Sequence, residues 1–208
     1  MDDQARLGMI AGILLIFILL IGVVSASIIF TTSDDISEED LNWITNEIVD
    51  EICSYLQIKN IIGQYQTIHN EQTIKRIGIL IKPYVSQNID ISHISIEVCN
   101  GEYYHMLFYN GQVGSIRSST LFEHPLWDLM TSNGFSVLTT IDDDNSIGNS
   151  HMINKNTDMA FILISLPDNL AMRYGDKIEI TIIPSPGMSR TVWLEAPLSI
   201  KNVVTLYP

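Results

Sequence analysis

The sequence predicts an α+β chain in which a long apolar helix near the N-terminus precedes an all-β sandwich domain. Residues 9–30 read MIAGILLIFILLIGVVSASIIF without a charged side chain. From residue 74 onward, apolar residues alternate with polar ones at the two-residue period of a β-strand. A length of 208 residues gives room for one compact domain and an accessory segment.

Composition and charge exclude several classes of protein. The chain carries 24 acidic and 11 basic residues, for a net charge of −13, and the hydrophobic share of 46% is too high for a disordered chain. Without a basic patch, no nucleic-acid partner is expected, because affinity for phosphates comes mostly from Lys and Arg. Cys53 and Cys99 are too few for a disulfide scaffold and too far apart for a zinc motif, which leaves them free, buried or paired.

The apolar run is long enough to cross a bilayer as one helix, since each helical residue advances the chain by about 1.5 Å. Two alternatives stay open for this segment. One is a buried helix of a soluble protein. The other is a cleaved secretory signal peptide, for which Ser25, Ala26 and Ser27 supply small residues near a cleavage point.

A second helix is predicted from Ser37 to Ile58. Ser37 and Asp40 have the spacing of a capping box, and the acidic residues 38–40 suit the positive end of a helix. An apolar stripe at three- and four-residue steps follows: Leu41, Ile44, Ile48, Val49, Ile52, Tyr55 and Leu56. This stripe predicts packing against a core or a neighbouring subunit, or else docking of a partner without assembly.

The remaining sequence predicts a sandwich of short strands. Asn100-Gly101 predicts a hairpin whose second strand lies within 102–109. Further strands are expected at 135–141, 159–166, 177–183, 190–194 and 203–207. Seven or eight such strands between proline-containing turns are typical of an immunoglobulin-like sandwich. The stretch 111–133 lacks a period, and we expect a long loop or short helix there, anchored by Phe122 and Trp127.

The sequence contains no motif for catalysis. A nucleophile elbow, a phosphate-binding glycine loop and a zinc-protease helix are all absent from it. The five histidines lack ligand spacing and are expected to be surface or satisfied strand residues: His69, His93, His105, His124 and His151. We therefore predict that the chain is not an enzyme and has no catalytic residue and no organic cofactor.

One acidic segment, Asp142-Asp143-Asp144-Asn145-Ser146, gathers several oxygen ligands in a short loop. Calcium prefers such ligands, and Asp142 and Asp144 are the candidate residues to bind it or another divalent cation. The segment lacks the glycine and the distal glutamate of the helix-loop-helix calcium motif. A solvated acidic turn is the alternative interpretation.

The order of several weak patterns along nearly the whole chain resembles one family. A short leader ends in Arg6-Leu7-Gly8 just before the apolar run. The amphipathic segment at residues 46–64 reads NEIVDEICSYLQIKNIIGQ and is similar to the family segment that leads to Ile-x-x-Ile-Gly. Farther along the chain, Ile81-Lys82-Pro83 precedes Ile-Asp-Ile-Ser at 89–92. The later strands and the acidic loop occur in the same order. This arrangement resembles the archaellins, the archaeal flagellins, and departs from their pattern at Leu7, where the family favours Lys or Arg, and at Val85, where it favours Gly.

The resemblance implies a type IV pilin-like structural subunit with three parts. Residues 1–8 would be a leader (class III signal peptide) cleaved between Gly8 and Met9. Residues 9–58 would be the hydrophobic, then amphipathic, helix of a filament core, and residues 59–208 an outer β-sandwich. The helix residues expected to pack in the core are Ile10, Ile13, Leu14, Phe17, Ile18, Ile21, Val24 and Ile28.

The resemblance also implies the protein's partners and location. The subunit would insert transiently in the membrane, be cut by a leader peptidase and be assembled by an ATP-driven membrane platform. The product would be a helical homopolymer, or a polymer with related archaellins, forming the extracellular archaellum at an archaeal cell surface for swimming. The chain has no N-x-Ser/Thr sequon, so N-linked glycan is not expected.

Two other classes of protein remain as alternatives. One is a membrane-anchored β-sandwich binding module, like the stator proteins of the same machinery that bind the surface layer. The other is a membrane-tethered surface enzyme. A stator needs only an anchor, so the amphipathic segment 37–58 favours the filament subunit.

Overall fold

The computed structural model describes residues 14–21, 55–68, 71–116, 120–199 and 201–208. Contacts between Cα atoms divide the chain into two compact units, residues 1–47 and residues 48–208. In the first unit, residues 14–21 form an α-helix with the sequence LLIFILLI, which contains neither glycine nor proline. The helix is thus confirmed within the predicted apolar run.

The other parts of the two predicted helices, residues 9–13 and 22–54, lie outside the described residues. Within the described part of the chain, no helix is both long enough and apolar enough to span a membrane.

The described part of the second unit is built mainly from β-strands. In chain order they are β1 (Leu56–Ile68), β2 (Glu71–Pro83), β3 (Ile89–Asp90), β4 (Ser95–Cys99), β5 (Tyr104–Ser115), β6 (Gly134–Ile141), β7 (Met152–Ile153), β8 (Met159–Ser165), β9 (Lys177–Ile183), β10 (Arg190–Glu195) and β11 (Val203–Tyr207). The strands expected at 177–183 and 203–207 are confirmed with the same bounds, and those at 135–141, 159–166 and 190–194 differ by one residue.

Nine of these strands form one sheet in the order β10-β9-β4-β5-β6-β8-β2-β1-β11, and β3 pairs separately with β7. Neighbouring strands are antiparallel except β5 and β6, which run parallel. Side chains from both halves of the sheet join one apolar core cluster, so the sheet curves around a common interior. The edge strands β10 and β11 approach within 8 Å between Cα atoms but do not pair.

The two-residue period decides which side chains enter this core. In β2, Ile77, Ile79 and Ile81 are at most 1% exposed. In β9, Ile178, Ile180 and Ile182 are buried, whereas the alternate residues between them face outward. The alternation that predicted strands from the sequence is therefore the alternation that forms the core.

The predicted end of the second helix at Ile58 is wrong. The strand β1 begins at Leu56, so Leu56 to Ile58 belong to the sheet, and the β domain begins before residue 59. Leu56 pairs with Pro83 and is 1% exposed in the sheet core. The register of β1 with β2 shifts between Ile58 and Asn60. The helix was predicted too far because Tyr55 and Leu56 continue the three- and four-residue spacing from Ile52.

The expected immunoglobulin-like sandwich takes the form of one large curved sheet. The parallel pair β5–β6 joins the two halves into one continuous curved sheet. Parallel neighbours require a crossover connection, which the aperiodic stretch after β5 supplies. The coarser expectation of a large β domain around one core is confirmed.

The crossover lies over the outer side of one half of the sheet. Its described part, residues 120–130, is called here the covering segment and contains two short 3₁₀ turns, Leu121–Glu123 and Pro125–Leu129. Phe122 and Trp127 are each 6% exposed, and their rings stack with centroids 5.8 Å apart. Both are therefore confirmed as the anchors of this stretch.

The covering segment and the sheet beneath it share a second apolar cluster. Its buried members are Leu121, Phe122, Leu126, Trp127, Leu138 and Leu163. The indole Nε1 of Trp127 donates to the carbonyl of Leu121 at 2.8 Å, and the Arg76 guanidinium lies 5.2 Å from the ring. A Cβ at Gly78 would stand 2.8 Å from the Leu121 Cδ2 atom, so a glycine in β2 lets the segment lie directly on the strand.

We expect Trp127→Ala to lower the free energy of unfolding by about 3–5 kcal/mol, because it leaves a cavity and removes the stacking partner of Phe122. Urea unfolding of the detergent-solubilised protein, followed by near-UV circular dichroism, measures the loss.

Trp193→Ala is the matched control, since this indole is 71% exposed on β10. Its effect should stay within about 0.5 kcal/mol. Equal losses for the two tryptophans would contradict the anchoring role of Trp127.

Candidate functional site

The described helix of the first unit presents an apolar surface on every side. Its eight side chains are between 56% and 62% exposed. A helix that is apolar all round is stable only when protein or lipid surrounds it. This surface is therefore a candidate site of assembly.

The free energy involved is large. Burying one side chain of this size is worth about 1.5–3 kcal/mol, so eight of them together contribute on the order of 10–20 kcal/mol. Lipid and a bundle of identical helices both satisfy this requirement. The choice between them depends on packing contacts, because lipid tails are as apolar as leucine.

Four of the predicted core residues, Leu14, Phe17, Ile18 and Ile21, lie on this exposed helix. The other predicted residues lie outside the described residues: Gly8, Met9, Ile10, Ile13, Val24 and Ile28. The roles of all of them in packing or cleavage stay predictions.

The predicted calcium ligands Asp142 and Asp144 organise a turn. The carboxylate of Asp142 accepts hydrogen bonds from the backbone N–H groups of Ser146, at 3.0 Å, and Ile147, at 3.1 Å. These two residues begin the short helix Ser146–Ser150. The carboxylate of Asp144 accepts from the Lys155 ammonium at 2.9 Å and from the Asn154 amide at 3.1 Å. Both acids thus already have partners within the chain.

These environments shift the pKa values of the two carboxyl groups in opposite directions. Lys155 first, and then Asn154, hold the pKa of Asp144 well below its usual range. Burial raises the pKa of Asp142, and its contact with Asp144 and the charge of Asp158 add to this effect. Hydrogen bonds from the backbone N–H groups of Ile147 and Ser146 oppose this rise in the pKa of Asp142.

A third acid, Asp158, closes the next turn. It is fully buried, and its Oδ2 atom accepts from the backbone N–H groups of Asn154 at 3.1 Å and Lys155 at 2.9 Å. Its Oδ1 atom has no hydrogen-bond partner. Across the described ranges, no group of three or more His, Cys, Asp or Glu side chains is placed to hold a metal ion. Calcium at Asp142 and Asp144 stays a prediction.

The described histidines have the ordinary contacts expected of surface and strand residues. The His93 ring lies 3.6 Å from the Asp90 carboxylate. The His105 ring bonds to the carbonyl of Ser132, the His124 ring accepts from the backbone N–H of Leu126, and the His151 ring bonds to the hydroxyl of Tyr109. Burial, together with the charge of Asp90, raises the pKa of Tyr109 to about 12, so its hydroxyl stays protonated beside His151. Cys99 is a free cysteine, whereas Cys53 and His69 lie outside the described residues.

One surface of the β domain was not predicted from the sequence. The outer side of β10, β9, β4 and β5 carries large exposed side chains, with Trp193 at 71%, Phe108 at 58% and Tyr104 at 57%. Trp193 lies between the buried Val192 and Leu194 of β10, and Tyr104 and Phe108 lie on the side of β5 opposite the buried Leu107. Aromatic residues at polar positions of the two-residue period were the signal that could have revealed it.

Comparison with known proteins gives consistent results. The family model for archaeal-type flagellin matches residues 5–194 of this chain. Flagellin B3 of Methanocaldococcus jannaschii is 28% identical over 213 residues, which covers 98% of this chain and 97% of that protein.

Solved structures share the fold. The archaeal flagellin FlaB1 from Methanocaldococcus jannaschii superposes with a TM-score of 0.65 at 22% identity, covering 73% of this chain and 96% of that one. The archaeal flagellum of Methanospirillum hungatei strain JF1 superposes with a TM-score of 0.54 at 12% identity, covering 94% and 97%.

We expect Asp144→Asn to lower the melting temperature at neutral pH, because the ionised carboxylate is stabilised by Lys155. The folded-state pKa of Asp144 is lowered, so its contribution is complete above the ordinary aspartate pKa of about 3.9 and is lost as the pH falls through the folded value. The difference from the wild type should therefore shrink below about pH 4. Asp143→Asn, which removes a neighbouring exposed carboxylate, is the control. An equal deficit for both variants across the pH series would contradict the role of the Lys155 pair.

Proposed function

This chain belongs to the archaeal-type flagellins, and we propose that it is a structural subunit of an archaellum filament, polymerised through its hydrophobic N-terminal helix for swimming motility. The observation that carries the proposal is the helix over residues 14–21, whose side chains are all apolar and all more than half exposed. A polymer in which many copies of this helix pack together covers that surface.

The geometry of such a polymer follows from its contacts. When two different surfaces of one chain meet and the rotation between copies does not close, the product is an open helical filament. Packing among apolar helices supplies the axial core, and the β domain with its acidic excess faces water. Residues 59–208 contain 14 acidic and 10 basic residues, and this acidic excess favours solubility of the outer layer.

The leader has a physical role in this scheme. Residues 1–8 include Asp2, Asp3 and Arg6, and charges are costly inside an apolar core. Cleavage between Gly8 and Met9 by a leader peptidase removes them before the helix packs. The subunit then waits in the membrane until an ATP-driven platform transfers it into the extracellular filament at the cell surface.

The membrane-anchored binding module is less well supported. The match to archaeal-type flagellin extends over residues 5–194 and so includes both the apolar helix and most of the β domain. The family consists of structural filament proteins, and the described residues contain no arrangement that favours an enzyme.

We expect material sheared from the cell surface to contain filaments about 10 nm wide, whose principal protein begins at Met9. The expected width follows from a core of helices, each about 10 Å across, surrounded by β domains. Negative-stain electron microscopy and N-terminal sequencing measure both properties. A monomer extracted only from membranes and beginning at Met1 would favour the anchored binding module.

We expect Ile18→Asp to prevent filament formation, because a carboxylate at this position costs roughly 2.5–3.5 kcal/mol in an apolar environment and is repeated in every subunit. Filament yield after shearing, normalised to total subunit in the cell, is the measurement. Ile18→Leu keeps the volume and apolarity of the side chain and should assemble normally. Normal filaments from Ile18→Asp would show that this part of the helix is not buried in the polymer.

A further inference from the structure

The two halves of the sheet differ in how their outer sides are protected. Over β6, β8 and β2, the covering segment packs its leucine and aromatic side chains onto the sheet. Over β10, β9, β4 and β5, no segment among the described residues does so, and Trp193, Phe108 and Tyr104 stay more than half exposed. The covering segment therefore protects the outer side of one half of the sheet, whereas the outer side of the other half keeps exposed aromatic side chains among polar ones.

The exposed side chains lie in register across four strands. Trp193 is opposite Glu179, Glu179 is opposite Cys99, and Cys99 is opposite Tyr104. The next outward row contains Glu97 between Thr181 and Met106, and the one after it contains Phe108 opposite Ser95. We call this surface the uncovered face; it consists of Trp193, Glu179, Glu97, Cys99, Tyr104 and Phe108. It is aromatic and acidic.

A surface of opposite charge lies elsewhere on the same domain. Lys82 of β2 is opposite Gln57 of β1, and the adjacent bulge of β1 contains Lys59. Among the described residues, no carboxylate lies within 4 Å of the ammonium groups of Lys59, Lys82 or Lys201, whereas Lys75, Lys155 and Lys177 are all ion-paired.

Beside these lysines, Tyr84 is 63% exposed, and its ring makes an edge contact with that of Tyr55 at 6.2 Å. Lys59, Lys82, Tyr55 and Tyr84 are called here the lysine corner. In a chain with 11 basic residues against 24 acidic ones, two unpaired neighbouring lysines form a distinct surface.

We propose that the uncovered face of one subunit docks against the lysine corner of a neighbouring copy of this chain, an inference that rests on the proposed filament function. Glu97 and Glu179 would meet the two ammonium groups. Trp193 and Tyr104 offer aromatic faces to the same cations and to Tyr84. Opposite charge and shared aromatic character select a second copy as the occupant.

The two surfaces are different, so the contact is head-to-tail and repeats along the polymer. Four strands spaced about 4.8 Å apart and three outward rows give the face an area of roughly 400 Å². A stable two-chain interface buries about 800 Å² on each partner. The contact is therefore weak for a single pair and becomes effective once the helices hold many copies side by side.

Cross-linking in assembled filaments tests the pairing directly, because Cys99 lies within the uncovered face. In a Cys53→Ser background, Lys82→Cys or Lys59→Cys places a second thiol in the lysine corner. A bismaleimide spanning about 10 Å matches the separation of packed sheets. We expect denaturing gels to show a ladder of dimers, trimers and longer covalent chains, as every subunit carries both thiols.

Asn149→Cys in the same background is the matched control, since this exposed residue lies on neither surface. Intact filaments whose Lys82→Cys and Lys59→Cys variants cross-link no better than Asn149→Cys would overturn the docking proposal and leave the filament function standing. Products that stop at dimers would overturn the head-to-tail arrangement. Absence of filaments from the wild-type chain would instead contradict the proposed function.

Charge reversal gives a second measurement that keeps the native cysteines. Glu97→Lys with Glu179→Lys, or Lys59→Glu with Lys82→Glu, should each reduce the filament yield about fivefold at low salt. Combining all four substitutions should restore most of the yield, because the opposite charges again face each other. Unfolding curves of the detergent-solubilised variants should match the wild type, since all four side chains point outward. Failure of the combination to rescue assembly would count against the charge pairing.

Discussion

Eight successive apolar side chains, each more than half exposed, cannot remain in contact with water. This hydrophobic requirement decides the organisation of the rest of the protein. A segment that must always be covered needs either lipid or packed protein around it. The β domain therefore has to fold and stay soluble whether the helix lies in a membrane or in a polymer. The domain gathers an isoleucine-rich core inside one curved sheet, and the chain as a whole is acidic.

The curved sheet depends on a connection that breaks the antiparallel pattern. The parallel pair of β5 and β6 requires a crossover, and the crossover carries Phe122 and Trp127 onto the outer side of the sheet. One aperiodic stretch thus joins the two halves and covers one of them. The other half keeps exposed aromatic residues, and it is this half that we propose docks against a neighbouring copy.

Much of this architecture was predictable from local pattern, and the failures have physical causes. Ile178, Ile180 and Ile182 alternate strictly, and the strand they define was predicted with its observed bounds. Tyr55 and Leu56 continue the helical spacing of the preceding apolar residues, so the end of a helix was placed three residues inside a strand. The pairing of β5 with β6 is a contact between distant segments, and no local period encodes it. The outward aromatic residues were passed over because a single strand does not reveal what its neighbours present on the same face.

The order of the strands in the sheet also affects how the chain folds during synthesis. The strand β1 lies between β2 and β11, and β11 is the last strand in the described sequence. Translation produces the apolar helix first, whereas β1 gains its second neighbour only when β11 has been made. Pairing between strands so far apart in the sequence is slow, because the chain loses conformational entropy when the loop closes, before the stabilising contacts form. For that interval the outer edge of β1 stays open to strands of other nascent chains, and early capture of the helix by a membrane would keep those chains apart.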